Sequence, residues 1–257
     1  MRDLSYAQTL CVKKAGLALQ RSRALSPGSR IGVAVSGGVD SFVLLKVLKI
    51  RQKIVPFKYE IMALHINPGF DPSDSSGLAD WLGREGVAGY IELSNHGPEA
   101  HSKVNRKKSP CFYCAMRRRK RLFQLAERFR LDSLAFGHNA DDLLATFLLN
   151  FTRTGNIRGM DLRASFFGGK LHVIRPLLLV EKRHIRQAAA QWRLPIWQNS
   201  CPSSGKTDRA LMNEAARSIG DLVPGAKKSM ISALVNWELE KYDAIEKAPK
   251  FRPDSEG

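Results

Sequence analysis

Acidic residues are scarce in this chain. Its 257 residues carry 24 Asp and Glu against 41 Lys and Arg, leaving a net charge of +17. A surface so basic attracts polyanions, with nucleic acid the favoured partner and an anionic membrane the rival. Long apolar runs are missing as well. The longest, such as 177–180, are strand-sized, against roughly 20 residues needed to span a bilayer, so a soluble protein with no membrane partner is expected. Cysteine is sparse and unevenly spaced, at Cys11, Cys111, Cys114 and Cys201, which excludes a disulfide scaffold and points to a reducing, cytoplasmic setting. No internal repeat or low-complexity tract occurs. The 44% of hydrophobic residues nevertheless suffices for a real core, which excludes a disordered basic tail. Residues 1–30 are basic and amphipathic but run directly into a strand pattern, so they read as a helix of the fold rather than a targeting segment.

What is present is alternation. After the first helix, Pro27 and Gly28 break the pattern, and residues 31–35 (IGVAV) form an apolar run suited to a strand buried on both faces. The pattern then predicts helices over 41–50, 78–85, 114–129 and from 140, and strands over 59–66, 88–93 and 133–136. A hairpin-like Gly168-Gly169 precedes a strand over 173–178 and helices over 182–191, 208–218 and 227–242. Such an order predicts an α/β fold, a parallel sheet with helices on both faces and ligands at the carboxyl ends of its strands. The division expected is an N-terminal helix packed on the core (1–28), a main domain (29–222), and a C-terminal helix and tail (223–257).

Two loops follow strands and open helices. In the first, Ser36-Gly37-Gly38-Val39-Asp40-Ser41, adjacent glycines permit a sharp turn, and the exposed N–H groups of loop and helix start form a nest for phosphate. It lacks the Gly-Lys-Ser/Thr end of a Walker loop and the three spaced glycines of a dinucleotide fingerprint. A carboxylate in such a loop repels phosphate unless a cation lies between them, so Asp40 implies a metal. The second, Gly137-His138-Asn139-Ala140-Asp141-Asp142, could be read as a helix cap alone.

Together the loops resemble the ATP pyrophosphatases of the PP-loop type, which split ATP into AMP and pyrophosphate. The resemblance implies that Ser36, Gly37, Gly38 and Ser41 hold the pyrophosphate portion of ATP, that Asp40 places Mg²⁺, and that Gly137 and His138 line the nucleotide. Asp141, ranked above Asp142, is the implied Mg²⁺ or catalytic carboxylate.

Cys111-Phe112-Tyr113-Cys114 lies where a helix begins, and Cys201 lies in a Pro-containing loop near the chain's last helices. Soft thiolates suit zinc or an iron–sulfur cluster, and a helix start with cations nearby favours the thiolate. A structural zinc site wants four ligands, and no second CxxC or suitably spaced histidine follows. PP-loop, CxxC, GHxxDD and one late cysteine, in that order over about residues 30–210, resemble the tRNA 2-thiocytidine synthetase family (TtcA). That resemblance implies a [4Fe–4S] cluster on Cys111, Cys114 and Cys201 with one iron open for sulfur. It also implies ATP-dependent adenylation of the cytidine C2 oxygen at position 32 of the tRNA anticodon loop, then displacement of AMP by sulfur. A cysteine desulfurase or sulfide is the implied donor, and a homodimer the implied assembly. Thiolation of a uridine or another base, a cluster-free persulfide cycle between Cys111 and Cys201, and a non-catalytic RNA-binding protein are the alternatives. Cys11 reads as a small buried apolar residue.

The charge excess is local. Residues 101–130 hold eleven Lys and Arg against Glu127 alone, a local +10 around the cysteine pair. Lys107, Lys108, Arg117, Arg119, Lys120 and Arg121 are read as tRNA-binding, and Arg118 as stabilising charge at the reaction centre. Phe112 or Tyr113 offers a flipped base a stacking surface. Lys182, His172 and His184 carry no specific signal and read as surface or capping groups.

Overall fold

A computed structural model of the chain describes residues 3–106, 109–197, 200–203 and 208–247. The first helix, α1 (Tyr6–Arg21), starts at a capping box in which Ser5 and Gln8 bond each other's backbone N–H. It buries Cys11, Val12, Ala15 and Leu19 against the core. Strand β1 (Arg30–Val35) leads into α2 (Val39–Arg51), whose Phe42, Leu44, Leu45 and Leu48 are fully buried. Each such side chain contributes roughly 1.5–3 kcal/mol through the apolar surface it removes from water. Strand β2 (Glu60–Asn67), a 3₁₀ turn at Pro72–Ser75, α3 (Ser76–Glu85) and β3 (Ala88–Leu93) follow.

A short helix α4 (His96–Ala100) then precedes α5 (Pro110–Arg128). The latter begins four residues before its apolar periodicity does, because Ser109 caps the N–H of Phe112 and Pro110 takes a first-turn position that needs no donor. The CxxC thus lies within the first two turns of α5. Strand β4 (Ser133–Ala135) passes into α6 (Ala140–Thr154), and a hairpin of β5 (Arg163–Phe166) and β6 (Leu171–Ile174) precedes α7 (Lys182–Gln191), α8 (Asp208–Leu222) and α9 (Ala226–Lys247).

The six strands lie in the order β3-β2-β1-β4-β6-β5. Every neighbouring pair is parallel except β5 with β6. The sheet is therefore mixed, with one antiparallel edge strand that the apolar pattern of residues 163–166 did not signal. The strand expected over 173–178 ends at Ile174, since Pro176 has no N–H for a ladder; Leu177 to Val180 are buried in a turn instead. Helices α1, α2 and α7 pack together over one face, and the apolar stripe of α5 (Leu122, Leu125, Ala126) covers the other against Leu64, Ile66 and Leu134. Helix α9 packs Ile231 and Leu234 against Leu143 and Leu144 of α6. No helix among the described residues is long and apolar enough to cross a membrane.

Candidate active site

Strand order reverses beside β1: the chain moves outward to β2 and β3, then returns to place β4 on the other side. The crevice beyond the carboxyl ends of β1 and β4 is the position where open α/β sheets bind ligands. Both sequence loops open there. A cavity of about 180 Å³ is walled by Ser36, Asp40 and Ser41 from the first loop, Gly137, His138 and Asp142 from the second, and Arg118 and Arg209 from α5 and α8.

The first loop is built to hold an anion. Ser36 N–H donates to Ser41 Oγ (3.2 Å), and that hydroxyl donates to Gly38 O (2.8 Å). Gly38 caps α2 without a side-chain bond, leaving the positive helix start open toward the cavity. Gly37 has φ +87°, and a Cβ there would stand 2.3 Å from the Trp197 ring. The backbone N–H of Trp197 also donates to Gly37 O (3.3 Å), so the loop is held by a residue that sequence reasoning did not single out, with its indole beside Gly37.

Asn139 joins the two loops. Its carboxamide donates to Asp40 (3.1 Å) and accepts from the N–H groups of Asp141 and Asp142 (3.0 and 3.2 Å), while Asp142 accepts from Asn139 N–H (3.1 Å). One 2%-exposed side chain thus fixes the first loop to the cap of α6. Gly137 allows the approach, since a Cβ there would lie 3.0 Å from the Asp40 carbonyl carbon.

Each acid of the site has a cation. Lys182 forms an ion pair with Asp40, Lys227 with Asp141 (2.5 Å), and Arg209 lies 3.9 Å from Asp142. Asp141 also accepts the Lys182 N–H (2.7 Å), so its two oxygens are turned toward α7 and α9. Asp142, placed second in the sequence reading, is the one on the cavity wall. Burial pushes its carboxyl up from the ordinary range, opposed mainly by Arg209, with Asp40 adding to the rise. His138 is pushed down to about 3, by burial first and then by Arg175, Arg209, Arg119 and Arg118, so its imidazole is neutral at physiological pH. Its Nδ1 is buried with no hydrogen-bond partner among the described residues. Lys182, read from sequence as a surface group, belongs to this site.

The cysteines lie past Arg118. Cys111 and Cys114, three residues apart on α5, face one side of the helix, and Cys201 approaches from its loop. Cys111 Sγ is 3.8 Å from Ser203 O, and Cys201 Sγ is 4.0 Å from His101 Nε2. Burial pushes the Cys111 and Cys114 thiols up, and the charge of Cys201 pushes both further; Arg118 pulls Cys114 the other way. Among the described residues no three His, Cys, Asp or Glu side chains converge on a single metal ion. Three thiols in mutual electrostatic reach are nonetheless the right donors for a cluster, whose irons each take their own ligand. Two cavity carboxylates likewise suit Mg²⁺, which keeps most of its shell for water and phosphate. Cys11, by contrast, is fully buried, and burial pushes its thiol up to about 12.

The basic helix face divides. Arg121 grips Glu92 with two nitrogens (2.7 and 2.8 Å), and Arg117 pairs with Glu99 (3.3 Å) while lying over Tyr113. These two, expected to meet RNA, are held by carboxylates of the fold. Arg119 and Lys120 have no such partner among the described residues. Lys107 and Lys108 lie outside the described residues.

Residues 12–213 match the model of the PP-loop domain family. The tRNA-cytidine(32) 2-sulfurtransferase of Geobacter sulfurreducens is 36% identical over 211 residues, covering 81% of this chain and 82% of the relative. That of Geotalea uraniireducens is 33% identical, covering 87% and 89%. Among solved structures, the U34-tRNA thiolase NcsA from Methanococcus maripaludis, determined with its [4Fe-4S] cluster, superposes with a TM-score of 0.72 at 19% identity, over 97% of this chain and 90% of its own. The chain is therefore an enzyme of the PP-loop family and belongs to its tRNA-cytidine(32) 2-sulfurtransferase branch.

Proposed function

We propose that this enzyme adenylates the C2 oxygen of a cytidine in the tRNA anticodon loop, at position 32, and replaces that oxygen with sulfur to give 2-thiocytidine. The observation that carries the reading is one continuous site: the two nucleotide loops, tied by Asn139, open on a cavity whose wall includes Arg118, and Arg118 stands one turn along α5 from Cys114. Relatives named for cytidine-32 thiolation favour cytidine over uridine.

In the first step the cytidine oxygen attacks the α-phosphorus of ATP and pyrophosphate leaves. The N–H groups of residues 36–38, the hydroxyls of Ser36 and Ser41, and the start of α2 hold the leaving pyrophosphate. Asp40 and Asp142 would hold Mg²⁺, which neutralises charge developing on the phosphates. Lys182, paired with Asp40, is the cation that would reach a phosphate oxygen. Neutral His138 offers the nucleotide a hydrogen-bonding ring without adding charge. Asp141 positions Lys182 through its backbone N–H and anchors Lys227. In the second step sulfur attacks C2 and AMP departs with the former oxygen, its charge stabilised by Arg118. Cys111, Cys114 and Cys201 would hold a [4Fe–4S] cluster like the one NcsA carries, which would supply an iron site for sulfur at the sulfide level, delivered as sulfide or as a desulfurase persulfide reduced by two electrons from a thiol.

The test is anaerobic incubation of the reconstituted protein with tRNA, ATP, Mg²⁺ and sulfide, followed by nucleoside mass spectrometry. Cys201→Ala is expected to abolish both the visible absorbance and 2-thiocytidine. A persulfide cycle between Cys111 and Cys201, loaded with sulfane sulfur by a cysteine desulfurase and closed by a thiol reductant, is the second reading; an iron-free protein active with desulfurase, cysteine and thiol but inactive with sulfide alone would establish it in place of the cluster.

A further inference from the structure

On the flank of α5 away from the nucleotide loops lies a second, much larger concavity of about 1010 Å³, between that helix and the β5–β6 turn. It extends from Phe112 past the end of α5 at Arg128, about 24 Å along the helix axis at 1.5 Å per residue, to Arg130. Its upper end is therefore the turn that carries Cys111 and Cys114. Phe123 forms part of its floor, and the ring of Phe167 stands edge-on to it at 5.6 Å. Phe167 holds φ +53°, an unfavourable conformation for an aromatic residue, and is 63% exposed; Phe112 at the other end is 58% exposed. The Phe167 ring offers its face to solvent at one end of the groove, and Phe112 marks the other end.

The charges of the groove identify its occupant. Arg119, Lys120, Arg130 and Lys170 line it, with Glu127 and Asp132 the acids, and Asp132 is occupied by the Arg30 N–H at 2.7 Å. None of the four cations has a carboxylate partner among the described residues, whereas Arg117 and Arg121, on the same helix, do. Exposed aromatic faces interleaved with free cations are what unstacked nucleotides require: rings for bases and charge for phosphates. A paired helix, by contrast, hides its base faces. We infer that this groove is the seat of single-stranded RNA, namely the loop nucleotides adjoining the target base, with Phe167 and Lys170 of the β5–β6 turn as its outer clamp. The inference rests on the tRNA reading above and gives that substrate a defined path, along α5 toward its cysteine-bearing N-terminal end.

Phe167→Ala and Lys170→Glu alter an exposed turn remote from the nucleotide loops, so folding and ATP binding serve as internal controls. Fluorescence anisotropy with the full-length protein would compare an anticodon stem-loop RNA with a blunt RNA duplex. Phe167→Ala should weaken stem-loop binding about tenfold and leave duplex binding unchanged. Lys170→Glu should weaken both and lower the slope of log affinity against log salt by about one. Unchanged stem-loop affinity in both variants would overturn the groove while leaving the enzymatic reading intact. So would a wild-type dimer that Phe167→Asp converts to monomers without loss of RNA affinity, since a second copy would then be the occupant. A wild-type protein that binds no stem-loop RNA would remove both the groove and the tRNA substrate.

Discussion

Lys182 shows how a single residue can hold a site in readiness. It neutralises Asp40, the carboxylate that otherwise repels phosphate from the first loop. Lys182→Met should lower the rate of pyrophosphate release by about 10²-fold, the scale of losing one charge-stabilising donor, with Lys182→Arg partly restoring it. Gly37 makes a steric demand. Alanine there would need φ +87° and space already held by Trp197, so Gly37→Ala should abolish ATP binding and also lower thermal stability. His138 makes the pH demand. A folded pKa near 3, below the ordinary value of about 6.5, means the unfolded chain takes up the proton first. Its contribution is therefore complete above pH 6.5 and is lost as pH falls toward 3. Thermal denaturation across that window should show a shallower acid decline for His138→Asn than for the parent. At this scale the sequence was readable where chemistry is contiguous, as in residues 36–41 and 137–142. Lys182, Lys227 and Trp197 were not readable, because each reaches the site from a distant segment with no local pattern to mark it.

Among the elements, α5 concentrates the most function. One face packs through Leu122 and Leu125, an adjacent one carries Cys111, Cys114 and Arg118, and the outer flank forms the aromatic groove. Its basic composition was legible, but the division of labour among its arginines was not. Glu92 and Glu99, which hold Arg121 and Arg117, come from β3 and α4. The two kinds of cation should separate experimentally. Arg121→Gln should lower stability by about 1 kcal/mol and leave tRNA affinity nearly unchanged. Arg119→Gln and Lys120→Gln should do the reverse, as thermal melts and RNA titrations would show. The Arg121 hydrogen bonds hold Glu92 below its ordinary pKa, so their stabilisation is full above that value and fades as pH falls through the folded one. The β5–β6 hairpin illustrates a different limit. Gly168 and Gly169 announced a turn, yet the four residues of β5 include Arg163 and Ser165, whose place in the sheet is decided by pairing with β6 rather than by their own pattern.

For the whole molecule, the alternation of strands and helices was enough to expect an α/β fold, since only a sheet flanked by helices can bury so many short apolar runs. The reversal of strand order beside β1 is what converts that fold into a site, bringing residues 36–41 and 137–142 to one crevice with α5 and its cysteines alongside. The net charge of +17 acquires a direction in the same way: the unpaired part of it near the cysteines lines a groove leading to them. The proposed sites of nucleotide activation, sulfur delivery and RNA seating thus meet at one helix. The most direct test of that union is nucleoside mass spectrometry of tRNA after anaerobic turnover by the cluster-reconstituted protein with ATP, Mg²⁺ and sulfide. 2-Thiocytidine should form with the parent protein and disappear with Asp40→Ala and with Cys201→Ala. Its absence from the parent reaction, or its undiminished formation by either variant, would contradict the account.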